Sequence, residues 1–116
     1  MVVDDNADMC LSMKLVLEHA GYEVETASDG EQAMALQRKR PVEVLITDLF
    51  MPQADGLETI QRFRQEYPAI RIIAMSGGSE LAMKTDHLPV ANVAGADATL
   101  RKPFEVETLL QTVRNG

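Results

Sequence analysis

The segment LITDLFMPQADG, Leu45 to Gly56, is an apolar run that stops on a carboxylate, Asp48. A Met51-Pro52 step and an Asp55-Gly56 pair follow it. A short apolar run bounded by turn residues reads as a strand buried on both faces, as in a parallel sheet. Leaving a lone carboxylate at the end of such a strand is costly unless other groups meet it. Asp48 therefore needs partners, and the ends of neighbouring strands must supply them.

Outward from this segment, strand and helix patterns alternate. MVV (1–3) starts a short apolar strand, and Asn6–Ala20 carries Met9, Met13, Val16, Leu17 and Ala20 at helical spacing, with Gly21 as its stop. YEVETA (22–27) alternates as a strand, SDG turns the chain, and EQAMALQRK (31–39) reads as a helix closed by Pro41. VEVLIT (42–47) is the buried strand before Asp48, and LETIQRFRQEY (57–67) is the helix after it, ended by Pro68. IRIIAM (70–75) is a fourth strand, broken by SGG, and DATL (97–100) is a fifth. EVETLLQTVRN (105–115) is the last helix. Between Ser79 and Ala94 the pattern predicts a long loop and then a short helix near Pro89–Ala94. Five strand–helix repeats without a linker predict one α/β domain over 1–116, a parallel sheet with helices on both faces.

Composition narrows the function. The chain has 116 residues, 46% of them apolar, enough for one ordinary core. No apolar run reaches the roughly 18 residues of a membrane span, and no basic leader opens the chain, so a cytoplasmic protein without a membrane partner is expected. Cys10 is the single cysteine. It has no internal partner and fits a reducing compartment, as an inert thiol or a reactive one. The net charge is −7, and the longest basic cluster is RKR at 38–40, which reads as a solvated helix end. Direct nucleic-acid binding is not expected. Three Phe, two Tyr and no Trp leave little to sandwich a flavin or a base.

In open α/β sheets the site lies beyond the carboxyl ends of the strands. Those ends carry Asp4 and Asp5, Asp48, Ser76 and Lys102. Each has a bland reading: Asp4-Asp5 as a helix cap, Ser76 as turn chemistry, Lys102 as a solvated side chain. Their joint placement at four strand ends is what carries the functional reading. Carboxylates that close repel one another, and a hard divalent cation with oxygen ligands, Mg²⁺, would hold them ionised beside Lys102.

With VVDDN at 2–6, TDLFMPQADG at 47–56, AMSGG at 74–78 and GADATLRKPF at 95–104, in that order, the chain resembles the receiver domain of two-component response regulators over essentially its whole length. The resemblance implies a flavodoxin-like sheet of order 2-1-3-4-5. It implies that Asp48 accepts a phosphoryl group from a phosphohistidine on a sensor histidine kinase or a histidine phosphotransfer protein. Asp5 would ligate Mg²⁺ directly, Asp4 mainly through water, and Phe50 by its backbone carbonyl. Ser76 would be the switch hydroxyl and Lys102 the phosphoryl partner, with Lys102–Pro103 in cis. Met51-Pro52 and Asp55-Gly56 would shape the loop and start the next helix. The domain would assist its own phosphorylation and dephosphorylation without being a turnover enzyme. Its target would be a downstream protein or a fused output domain, with a phosphorylation-dependent homodimer among the options.

Three departures bear on these expectations. Thr99 stands where an aromatic usually precedes the lysine by three residues, so switching is expected in the backbone of Ser76–Pro89, around Gly77-Gly78. The span from Ser76 to Lys102 is longer than usual. Only three residues precede Asp4, so the first strand should be short and the chain trimmed from a longer N-terminus. Three other functions share parts of this pattern. A haloacid-dehalogenase-like phosphatase wants a second aspartate at the position of Phe50. A receiver-shaped interaction module without chemistry would have lost an acidic residue or the lysine. A flavodoxin-like cofactor binder would show a Gly-rich loop after the first strand.

Overall fold

The computed structural model describes residues 1–49, 56–76 and 95–115. Among these, nine elements follow one another: β1 (Val2–Val3), α1 (Ala7–His19), β2 (Thr26–Ala27), α2 (Gly30–Lys39), β3 (Val44–Asp48), α3 (Gly56–Glu66), β4 (Arg71–Ser76), β5 (Ala98–Arg101) and α4 (Val106–Arg114). The strands form one parallel sheet in the order β2-β1-β3-β4-β5. Phe50, Met51, Pro52 and Asp55 lie outside the described residues, as do Gly77, Gly78, Pro89 and the helix expected near Pro89–Ala94.

Helix starts follow their caps. Asn6 Oδ1 accepts the Met9 N–H at 3.1 Å and opens α1; Asp29 Oδ1 accepts the Gln32 N–H at 2.8 Å and opens α2. Gly21, with φ of +102°, turns the chain out of α1, a conformation that a residue with a Cβ adopts only under strain.

The strands are buried on both faces, as their continuous apolar sequence requires. Met1, Val3, Leu45, Ile72 and Ala74 point to the layer built with Ala33, Met34, Ile60 and Phe63 of α2 and α3. Val2, Ile46, Ile73 and Met75 point the other way, to Met13 and Leu17 of α1 and Leu109 and Val113 of α4. Away from the strand ends the Gln37 side chain is buried at 2% exposure, and its amide makes both backbone bonds of Val42, at 3.0 and 3.3 Å. It stands in for a strand at a place where Pro41 has no N–H to give.

One strand is shorter than its pattern. YEVETA alternates over 22–27, but only Thr26–Ala27 pair, opposite Val2 and Val3. Alternation states which face a residue turns to and does not by itself set the length of a ladder.

Candidate functional site

The carboxyl ends of β1, β3, β4 and β5 converge. Asp4 follows β1 and is 1% exposed, Asp48 ends β3 at 7%, and Ser76 ends β4 at 6%. Lys102 directly follows β5, and its backbone N–H donates to the Ser76 carbonyl at 2.6 Å. Its ammonium donates to Asp4 Oδ2 at 2.8 Å and lies 3.4 Å from Asp48 Oδ2. One cation thus sits between two buried carboxylates that end strands with a third between them and the lysine.

Asp4 and Asp5 divide in burial. Both Asp4 oxygens are engaged, Oδ1 by the Asn6 N–H at 3.0 Å and Oδ2 by Lys102. Asp5 is exposed. Carboxylate oxygens of Asp4, Asp5 and Asp48 nevertheless lie within 4.8 Å of one another. Trans oxygens of a Mg²⁺ octahedron are about 4.2 Å apart, so this oxygen-only set fits the ion's chemistry and nearly its span, with water completing the shell.

Burial opposes the Lys102 ammonium, but the hydrogen bond with Asp4 and the charges of Asp48 and Asp4 outweigh it, and its pKa lies above the ordinary lysine value. Lys102 is therefore cationic at neutral pH. The Cys10 thiol, beneath the site, donates to the Asp4 carbonyl at 3.3 Å. Burial and the Asp4 charge push its pKa up, which suits the inert reading of this thiol.

Gly56 positions Asp48 from behind. Its N–H donates to the Leu49 carbonyl at 3.0 Å. A Cβ there would lie 1.9 Å from the Asp48 carbonyl oxygen and 2.5 Å from Leu49 Cα. Gly56 begins α3, as expected of the Asp55-Gly56 pair, and the glycine is also required by contact with the backbone of the Asp48 strand. Thr47, fully buried, adds a hydroxyl bond to the Asp48 carbonyl at 3.2 Å.

The geometry thus brings Asp4, Asp5, Asp48 and Lys102 together and sets Ser76 at the adjacent strand end. Thr99 is half-buried on β5 opposite Ala74, and Lys102–Pro103 is cis. Phe50, whose carbonyl was expected at the metal, lies outside the described residues. The sequence reading missed Arg64. Its guanidinium on α3 reaches the carbonyls of Pro68, Ile70 and Gly95 and the carboxylate of Asp97 at 2.6–3.1 Å. Asp97 in turn accepts the Ile72 N–H at 2.8 Å, so one side chain ties α3 to the starts of β4 and β5. Only the placement of Arg64 in the last turn of a helix was visible in sequence, and that reads as dipole compensation.

Comparison with known proteins gives the family and the fold. The model of the response regulator receiver domain matches residues 1–114. Response regulator MprA of Mycobacterium leprae is 32% identical over 114 residues, covering 98% of this chain and 48% of that protein. The probable transcriptional regulatory protein TcrX of Mycobacterium tuberculosis is 26% identical, covering 98% and 47%. The chain therefore spans about half the length of the curated relatives it matches. Among solved structures, the chemotaxis protein CheY4 of Vibrio cholerae is 34% identical with a TM-score of 0.84, covering 98% of this chain and 93% of that one. A receiver domain protein from Clostridium thermocellum is 28% identical with a TM-score of 0.87, covering 98% and 89%. Among the described residues, no helix is long and apolar enough to cross a membrane. With its match over nearly every residue, its sheet order and its strand-end carboxylates, this chain belongs to the response regulator receiver domain family of two-component systems.

Proposed function

We propose that Asp48 is the phosphoryl acceptor of this receiver and that Asp4, Asp5, Lys102 and Ser76 serve the transfer. The observation that carries this reading is the Lys102 ammonium held between Asp4 and Asp48, at 2.8 and 3.4 Å. A carboxylate oxygen of Asp48 attacks phosphorus in line, the new O–P bond forms as the N–P bond to a donor histidine breaks, and the imidazole leaves. Fixing Asp48 at the end of a buried strand removes most of its freedom before the donor arrives. Lys102 then follows the charge from the carboxylate to the phosphoryl oxygens. Ser76, on the loop side of β4, offers its hydroxyl to one of those oxygens and so couples the new charge to the chain that follows.

Mg²⁺ would be held by Asp5 and Asp48, with Asp4 acting through water because both its oxygens are already engaged; when bound it supplies neutralising charge to the transferred group. Phe50 is proposed to add its carbonyl. The donor is a histidine kinase or a histidine phosphotransfer protein, and the output is a downstream protein or a fused domain. The domain assists only its own modification and turns over no external substrate. A cytoplasmic location follows from that donor.

Incubation with Mg²⁺ and acetyl phosphate tests the reading. Intact mass should show one added phosphoryl group on the native chain and none on Asp48→Asn. Equal labelling of the variant would place the acceptor elsewhere, and full labelling of Asp5→Ala would remove Asp5 from the metal site.

A further inference from the structure

Three residues, Asp4, Asp5 and Asn6, join β1 to α1, and the first two carry carboxylates of the site. Every polar group of Asp4 has a partner. Its N–H donates to the Ala27 carbonyl at 3.1 Å, and its carbonyl accepts the Cys10 thiol at 3.3 Å. Its Oδ1 accepts the Asn6 N–H, and its Oδ2 accepts the Lys102 ammonium. Asn6 is exposed, and its bonds point two ways. The N–H reaches back to Asp4 at 3.0 Å. The side-chain Oδ1 accepts the Met9 N–H and the carbonyl accepts the Cys10 N–H, both at 3.1 Å, in the first turn of α1. The Cys10 thiol then returns to Asp4, closing a ring from the site into the helix and back.

We propose that Asn6 is a positioning residue for this site: by capping α1, its side chain fixes the N–H that leaves Asp4 Oδ2 to Lys102 and holds Asp5 beside Asp48. The inference rests on the reading of these three carboxylates as the metal and acceptor set. Asn6 has extended backbone, φ −88° and ψ 109°, and stands just outside the helix. A residue there without a side-chain acceptor leaves a first-turn N–H open, and the turn frays. The ring then loses its fixed side. With Oδ1 taken by Asn6 and Oδ2 by Lys102, neither oxygen of Asp4 is free to enter a metal shell directly. Asp5 lies between two residues held in this way, so its exposed carboxylate starts from a fixed backbone. Hydrogen bonds that orient metal-ligating groups are worth on the order of 10–100-fold in metal affinity. Asn6→Ala keeps the N–H and loosens it, so only a part of that, at least about threefold, is expected.

Titration of the unphosphorylated chain with Mg²⁺, followed by the amide shifts of Asp5 and Leu49, tests this apart from any transfer. At a temperature where it is fully folded, Asn6→Ala should raise the half-saturating Mg²⁺ concentration at least about threefold. Its labelling by acetyl phosphate at a fixed, low Mg²⁺ concentration should slow by a similar factor. Asn6→Ser restores a capping oxygen and should titrate like the native chain. Equal or tighter Mg²⁺ binding by folded Asn6→Ala, with only its unfolding midpoint lowered, would reduce Asn6 to a helix cap and overturn the inference. So would an Asn6→Ser chain that has the native midpoint but the weak binding of Asn6→Ala. A native chain whose Asp5 amide ignores Mg²⁺ would instead remove the metal reading, and this inference with it.

Discussion

Gly56→Ala is the sharpest single perturbation of the site that touches none of its side chains. In an exposed helix interior the exchange would stabilise by about 1 kcal/mol, because alanine is the better helix former. Gly56 is the first residue of α3, where only part of that gain applies. Against it stands a Cβ 1.9 Å from the Asp48 carbonyl oxygen, 2.8 Å from its carbon and 2.5 Å from Leu49 Cα. Ordinary contact begins at about 3.5 Å, so the start of α3 must withdraw by more than about 1 Å. All three neighbours are backbone, and no rotamer change relieves the overlap. Overpacking of this kind costs about 1–3 kcal/mol, and loss of the Gly56 N–H to Leu49 bond adds about 1. The net expectation is a destabilisation of about 3 kcal/mol, with Asp48 displaced. Urea denaturation of both chains, compared at equal slope, measures the first part. Labelling by acetyl phosphate, expected to fall at least tenfold at a temperature where the variant is folded, measures the second. A variant as stable as the native chain that labels at the native rate would show that the contact between α3 and the Asp48 strand constrains nothing.

Three further outcomes are expected. Arg64→Ala should destabilise by about 2–3 kcal/mol, since it strips charged hydrogen bonds from Gly95, Pro68, Ile70 and Asp97; Arg64→Lys should recover under half, and a loss below about 0.5 in urea denaturation would refute the clamp. Lys102→Met should cost on the order of 3 kcal/mol at neutral pH by leaving Asp4 and Asp48 without their cation. Because the folded pKa of Lys102 is raised, that difference is present below the ordinary lysine range and is lost only as pH rises through the folded value. Closure of the gap between pH 7 and pH 9 would contradict it. In the chain that starts at Met1, the unfolded state holds more protons than the folded state between the folded amine pKa of about 6 and the ordinary 8.0. Stability should therefore rise with pH across that window, by on the order of 2–3 kcal/mol, and N-terminal acetylation should flatten the slope.

The strand–helix alternation, the burial of both sheet faces and the placement of Asp4, Asp48, Ser76 and Lys102 at strand ends were legible in the sequence. Periodicity and turn residues act over a few positions, and a parallel sheet then gathers its strand ends on one edge whatever lies between them. Other features needed the tertiary structure. Asp4 and Asp5 are adjacent and chemically identical, yet Asp4 is buried with its carboxylate on Lys102, 98 residues along the chain, while Asp5 is exposed. Gly56 reads locally as a helix start; its necessity comes from the backbone of Asp48 and Leu49 pressed against it. Arg64 finds Gly95 and Asp97 across 31 and 33 residues, with no local pattern to announce it. YEVETA carries the alternation of a full strand, but only Thr26 and Ala27 pair in the sheet, opposite Val2 and Val3. A sequence states which residues can face a core; which ones meet is decided by the distances that folding closes.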